Sequence, residues 1–223
     1  SMPIGGGNLA LNVWTTRDEL LFYIASPDSW DGKTQVKVGR VRVAFAPNPF
    51  AGEVRQELDL ASNSIHIRGR AGDGTEVNLR VWVDAFQPVV HVEGESSAPV
   101  QVTAAIELIG AAEGRIENAA VIWRWRLSDG PSPQRLAEIE KNKVQAIADS
   151  VPDPMANHTW GGRLIGQGFV ADGTGEIQNE GKTSRFHRLK TKELVTRFDL
   201  RATLRIAQDA TVADWEKAVA DLE

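Results

Sequence analysis

"EVNLRVWVD", residues 76–84, decides the fold. Val77, Leu79, Val81 and Val83 alternate with Asn78, Arg80, Trp82 and Asp84. A period of two sends the first set to one face of a strand and the second set to the other. One apolar face and one solvated face are what an antiparallel sheet packed on a single core requires. Trp82 stands out because it falls on the polar parity.

The same alternation extends in both directions. In "QVKVGRVRVAF" (35–45), Val36, Val38, Val41 and Val43 are interleaved with Lys37, Arg40 and Arg42, and the parity slips at Gly39. Such a slip predicts a β-bulge there. "LNVW" (11–14) and "LLFYIA" (20–25) flank the polar "TTRDE" and read as a hairpin. "SIHIRGR", "PVVHVEGES", "VQVTAAIELIG" and "AVIWRWRL" follow, and strands resume with "WGGRLIGQGFVA", "GEIQNE", "RFHRLKTKELV" and "DLRATLRIA". In "AVIWRWRL", Val121, Trp123, Trp125 and Leu127 share one face. Turn signals about every ten residues point to a large antiparallel sandwich.

Helical spacing interrupts this pattern twice. Residues 134–149 place Leu136, Ile139, Val144 and Ile147 roughly on one face, with Ser132 as N-cap and Pro133 at the first helical position. "TVADWEKAVADLE" has Thr211 as N-cap and an apolar stripe of Val212, Trp215, Val219 and Leu222. The predicted organisation is one sandwich domain over residues 1–209, with a helical insertion at about 132–149. A helical segment over 210–223 follows it.

The 223-residue chain has a formal net charge of −5, which argues against a nucleic-acid partner. The charge balance also argues against a polybasic membrane anchor, and no apolar run reaches the length of a membrane helix. There is no cysteine, so thiolate catalysis, disulfides and Cys-ligated metals are excluded. No signal peptide is visible, and Ser1 ahead of Met2 reads as a remnant of cloning, which leaves a native leader open.

Candidate sites are few. "GGGN" (5–8) lacks both phosphate-loop spacings and leads into a strand, so it reads as a turn whose glycines permit positive φ. The histidines His66, His91, His158 and His187 show no metal-ligand spacing, and "ADGTGE" (171–176) reads as a hairpin turn in preference to a calcium loop. No metal site and no cofactor are expected. No nucleophile elbow occurs. Asp84, Glu93, Glu95 and Glu107 lie at or near strands, but nothing in the sequence pairs them as hydrolytic carboxylates, and solvated sheet edges explain them.

Seven tryptophans against one tyrosine is a skewed aromatic set. Trp30 sits in "SPDSWDG", Trp160 follows "NHT", and Trp82 is outward on its strand. A Trp among polar neighbours can stack on a sugar ring while nearby Asp or Asn side chains take the hydroxyls. The competing reading is packing against another sheet or domain. Trp30, Trp82 and Trp160 are thus the candidate substrate-binding residues, and no catalytic residue is assigned. A sugar epimerase or mutarotase-like enzyme is a further alternative, with His91 and Glu93 sharing a strand face.

"MPIGGGNLALNVW" (2–14) resembles the opening of glycoside hydrolase family 95, where a Pro-Leu/Ile-Gly-Asn-Gly run begins a large β domain. Here Gly6 replaces the Asn. The chain is more similar still to domain-of-unknown-function family 5703, found at the N-terminus of bacterial glycosidase-like proteins. That similarity runs through "PNPF", "QELDL", "WVDAFQPVVHVE" and "HTWGG" and spans most of the chain. The resemblance implies a mainly β fold, a β-supersandwich of two large antiparallel sheets with two short helices. It also implies a helical linker beginning near residue 210 and a C-terminal catalytic (α/α)6 barrel in the same polypeptide. Trp215 and Leu222 would lead toward that barrel, which would hold the catalytic carboxylates. Export to the periplasm or the cell exterior is expected on the same basis. This chain would then be a non-catalytic domain, with carbohydrate as a candidate ligand; a free-standing carbohydrate-binding module is the alternative.

Overall fold

The computed structural model describes residues 1–148, 150–179 and 181–222. Fourteen strands form one antiparallel network that does not close into a barrel. The first strands are β1 (Met2–Gly6), β2 (Leu9–Thr15), β3 (Glu19–Trp30) and β4 (Gln35–Ala46). Next come β5 (Val54–Asp59), β6 (Ser64–Arg70), β7 (Glu76–Val83) and the long β8 (Val89–Glu107). After them run β9 (Glu113–Glu117), β10 (Ala120–Arg126), β11 (Thr159–Gly166), β12 (Phe169–Asn179), β13 (Lys182–Thr191) and β14 (Val195–Ala207).

Strand β8 makes the architecture. Its first half pairs with β7 and β14, and its second half pairs with β4 and β13. Between the halves lie Ser97, Ala98 and Pro99, small residues and one that lacks an N–H, where the strand can leave one ladder for the other. The network therefore splits into two layers that share β8. Layer A has the order β1-β2-β3-β4-β8-β13-β12, and layer B has the order β5-β6-β7-β8-β14-β11-β10-β9. This is the expected mainly β supersandwich.

The core lies between the layers. Layer A contributes Leu11, Val13, Phe22, Ile24, Val41 and Val43, and layer B contributes Ile65, Ile67, Leu79, Val81, Val92 and Leu164. Each set is the apolar parity of its strand, so burial follows directly from the alternation. Trp123 lies wholly inside, and its indole Nε1 crosses the core to donate to the Val38 carbonyl at 2.9 Å. The bulge expected near Gly39 is present: Ile24 pairs with Gly39 but Ala25 pairs with Lys37, which leaves Val38 as the extra residue. A Cβ on Gly39 would sit 2.8 Å from the Ile106 Cδ1, so the Ile106 side chain would have to shift to admit one.

Three departures from the sequence reading have local causes. The stretch expected as one helix over 134–149 forms α1 (Pro133–Asn142) and the short α2 (Gln145–Ala148), because Lys143 turns left-handed at φ 55° and caps α1. Residue 149 lies outside the described residues. The insertion's apolar face is not buried either: Leu136 and Ile147 are more than half exposed. "ADGTGE" is no hairpin turn but a bulged stretch inside β12, where Asp172 is skipped in the register and pairs with Arg188 and Lys190. Finally, α3 (Val212–Ala220) folds back onto layer B, and its Trp215 and Val219 are buried there. Trp215 therefore faces this domain's own sheet and does not lead outward. No helix among the described residues is long and apolar enough to cross a membrane.

Candidate functional site

The outer face of layer B is divided in two. Helix α3 covers the β11–β14 half, with Glu216 bound to Arg115 at 2.7 Å and to Arg124 at 3.3 Å. The Arg115 hydrogen bond holds the Glu216 carboxyl below the usual carboxylate range. The other half, from β6 to β14, is open and forms a groove of about 650 Å³.

Pleat and register build the groove. Asn78, Arg80 and Trp82 are the outward set of β7, and His91, Glu93 and Glu95 are the outward set of β8. Antiparallel pairing then sets three cross-strand rows: Asn78–Glu95–Arg197, Arg80–Glu93–Asp199 and Trp82–His91–Arg201. Residues directly opposite have Cβ atoms about 5 Å apart, close enough to act on one ligand. Glu95 binds Arg197 at 3.0 Å, and Asp199 binds Arg201 at 3.2 Å. Glu93 is exposed, and its carboxylate makes no hydrogen bond or ion pair among the described residues. The Asp199 Oδ1 is shielded from solvent and has no hydrogen-bond partner there.

The candidate tryptophans have different fates. Trp82 is stacked on His91, with ring centroids 4.6 Å apart, and the Arg80 guanidinium lies 4.4 Å from the same indole. Trp82 is therefore a packing post for two polar side chains of the groove. Burial lowers the His91 pKa, partly offset by the nearby Asp199 carboxylate. Trp160 is fully buried, tilted against Trp125, and its Nε1 donates to the Trp30 carbonyl, so it offers no face to a ligand. Trp30 is 39% exposed, with its Nε1 tied to the Pro27 carbonyl at 2.8 Å, and it stands apart from the groove.

The candidate carboxylates also separate. Asp84 accepts from the backbone N–H groups of Phe86 and Gln87 and shapes the β7–β8 turn. Glu107 is buried on the outer face of layer A, where Arg40 grips it at 2.7 and 2.8 Å and Arg42 adds a bond at 3.1 Å. Arg42 in turn binds Glu19, and Tyr23 accepts from Arg40. This chain of charges is saturated internally. Among the described residues no group of three or more His, Asp or Glu side chains could hold a metal ion.

A second feature lies at one end of the sandwich. Phe86 is 97% exposed at the tip of the β7–β8 turn. It lines a hollow of about 360 Å³ together with Gly7, Pro88, Ile206 and Leu222. The glycine run explains the placement. A Cβ on Gly6 would stand 2.8 Å from the Asp84 carbonyl and 3.0 Å from that of Val83, so only glycine lets the β1–β2 hairpin touch this turn. Gly7 follows with φ 56°.

A sequence profile of the family described as a domain of unknown function, DUF5703, matches residues 1–135 and 119–223. The chain belongs to the DUF5703_N family. No curated protein matches it. In this DUF5703_N domain, sequence reasoning missed Asp199, Arg197 and Phe86. The first two become part of a site only through pairing of β14 with β8, a contact about a hundred residues apart in the chain. Phe86 had a readable signal, an aromatic inside the turn segment "DAFQP".

Proposed function

We infer that this domain is a non-catalytic sandwich module of a glycoside-hydrolase-type polypeptide, acting outside the cytoplasm and supporting a catalytic helical barrel C-terminal to it. The observation that carries this reading is Phe86, exposed at one end of the sandwich. A phenylalanine held almost wholly in solvent by an Asx-capped turn is costly unless something covers it. Leu222, which follows α3, shares the same hollow, so a segment continuing from α3 would start at that surface. The resemblance to family 95 supplies the identity of the covering domain.

The test is direct. The natural coding frame is expected to continue beyond this chain into a helical domain with acidic residues on its loops. In that longer protein, Phe86→Asp is expected to loosen the two domains and lower glycosidase activity without unfolding the sandwich. A frame that stops near residue 223, or a Phe86→Asp variant with unchanged domain association, overturns the reading. The second reading, a free-standing carbohydrate-binding module, is favoured by the open groove on layer B.

A further inference from the structure

We propose that the open half of the layer B outer face is a binding groove for a neutral polyhydroxyl ligand, a short stretch of carbohydrate chain. The choice of carbohydrate probes rests on the glycoside-hydrolase reading above; the residues rest on the groove alone.

Size comes first. A volume of about 650 Å³ falls within the range of small-molecule sites and is open along one side, as a chain ligand needs. Unused hydrogen-bonding capacity comes second. The Arg80 guanidinium lies over the Trp82 ring, and the side chains of Arg80, Asn78 and Glu93 make no hydrogen bond or ion pair among the described residues. Asp199 keeps one oxygen shielded and unpartnered on the same wall. A buried acceptor without a donor costs free energy until a ligand hydroxyl or an ordered water supplies one.

Charge selects the ligand class. Arg80, Arg197 and Arg201 share the cross-strand rows with Glu93, Glu95 and Asp199, so the two signs balance across the face. A phosphate or sulfate site would need an excess of donors, and a cation site an excess of carboxylates. Guanidinium, amide and carboxylate alternate instead at cross-strand spacing. Sugar hydroxyls both donate and accept, so they can satisfy all three groups at once. Arg80 is also pre-set for this task. Stacking on Trp82 fixes the plane of its guanidinium and leaves the N–H edges free, which lowers the entropy lost on binding. Trp82 thus serves the site by positioning Arg80, in place of stacking on sugar.

The experiment is a titration of the intact domain with neutral oligosaccharides (cello-, xylo- and mannohexaose), and with oligogalacturonate as the anionic counterpart. Binding is read by calorimetry and by amide shifts at residues 78–80, 93–95 and 197–199. At least one neutral oligosaccharide is expected to bind and to move those amides. Glu93→Gln and Arg80→Gln are each expected to weaken binding at least tenfold while leaving Tm unchanged. Trp82→Phe, which keeps a ring under Arg80, is expected to retain most of the affinity that Trp82→Ala loses. Flat titrations with all neutral probes, preference for the anionic probe, or binding that survives Glu93→Gln and Arg80→Gln overturn the proposal. Phe86→Asp lies outside the groove and is expected to leave glycan binding unchanged, so failure here and failure of the docking surface are separable.

Discussion

The Trp82 indole lies flat against the His91 imidazole, with ring centroids 4.6 Å apart and planes 5° from parallel. The two residues are direct cross-strand partners on β7 and β8. An aromatic pair in this geometry is worth about 0.5–1.5 kcal/mol beyond area burial. A double-mutant cycle of Trp82→Ala and His91→Ala, read by urea unfolding, is expected to show a favourable coupling of that size. Strict additivity would mean that the stack does not contribute.

Buried Glu107 is held by both Arg40 and Arg42. Losing the partner of a buried charge costs roughly 3–5 kcal/mol, and removing Arg40 takes away the shorter bonds and leaves the Arg42 bond at 3.1 Å. Arg40→Met is expected to destabilise the fold by up to about 3–5 kcal/mol. Arg40→Met with Glu107→Leu is expected to recover a large part of the loss, because the under-compensated buried charge is then gone. A harmless single substitution would show that Arg42 or water compensates the carboxylate without Arg40.

The "HTWGG" motif has a packing reason. A Cβ on Gly162 would stand 2.3 Å from the Thr203 carbonyl and 3.0 Å from the Trp123 ring. Gly162→Ala is expected to cost about 1–3 kcal/mol through overpacking. Gly72, with open space around its Cβ position, serves as the control and is expected to tolerate Ala. Equal Tm values for the two variants would contradict this account of the motif.

Stability is expected to fall on mild acidification. Burial lowers the pKa of His91, His158 and His187 in the fold. Above the ordinary histidine pKa both folded and unfolded chains hold these rings neutral. As pH drops below it, the unfolded chain takes up protons that the folded chain resists, so unfolding gains. The loss begins near pH 6.5 and continues to the lowered folded values. Tm measured from pH 7.5 to 5 is expected to decline, and His158→Gln to flatten the decline. A Tm that holds or rises across this range would show that the rings accept protons freely in the fold.

Much of this fold was legible because alternation has one meaning on a sheet buried on one face. Val77, Leu79, Val81 and Val83 are all buried, and the Gly39 slip marks a bulge. What was not legible depends on long-range register or on single backbone angles. Trp160 reads as the start of a strand after a polar loop, with its ring open to a ligand, but it is the second residue of β11 and faces the core. Lys143 ends α1 with one left-handed residue, which no periodicity announces. The groove's polar parity could be read on β7 and β8, whereas its β14 wall needed the pairing of Glu93 with Asp199.

Thiol labelling tests the central claim most directly, because the chain has no cysteine. Phe86→Cys and Leu60→Cys each add one thiol at an exposed position, Leu60 being 83% exposed in the β5–β6 turn. Labelling rates are compared in this domain alone and in the longer polypeptide that the proposed function predicts, with sites mapped by mass spectrometry. The account predicts that both thiols react fast in the isolated domain and that only the one at position 86 slows, by tenfold or more, in the longer protein. Equal reactivity of position 86 in both would mean that nothing covers this end of the sandwich, and the accessory-domain reading would fall.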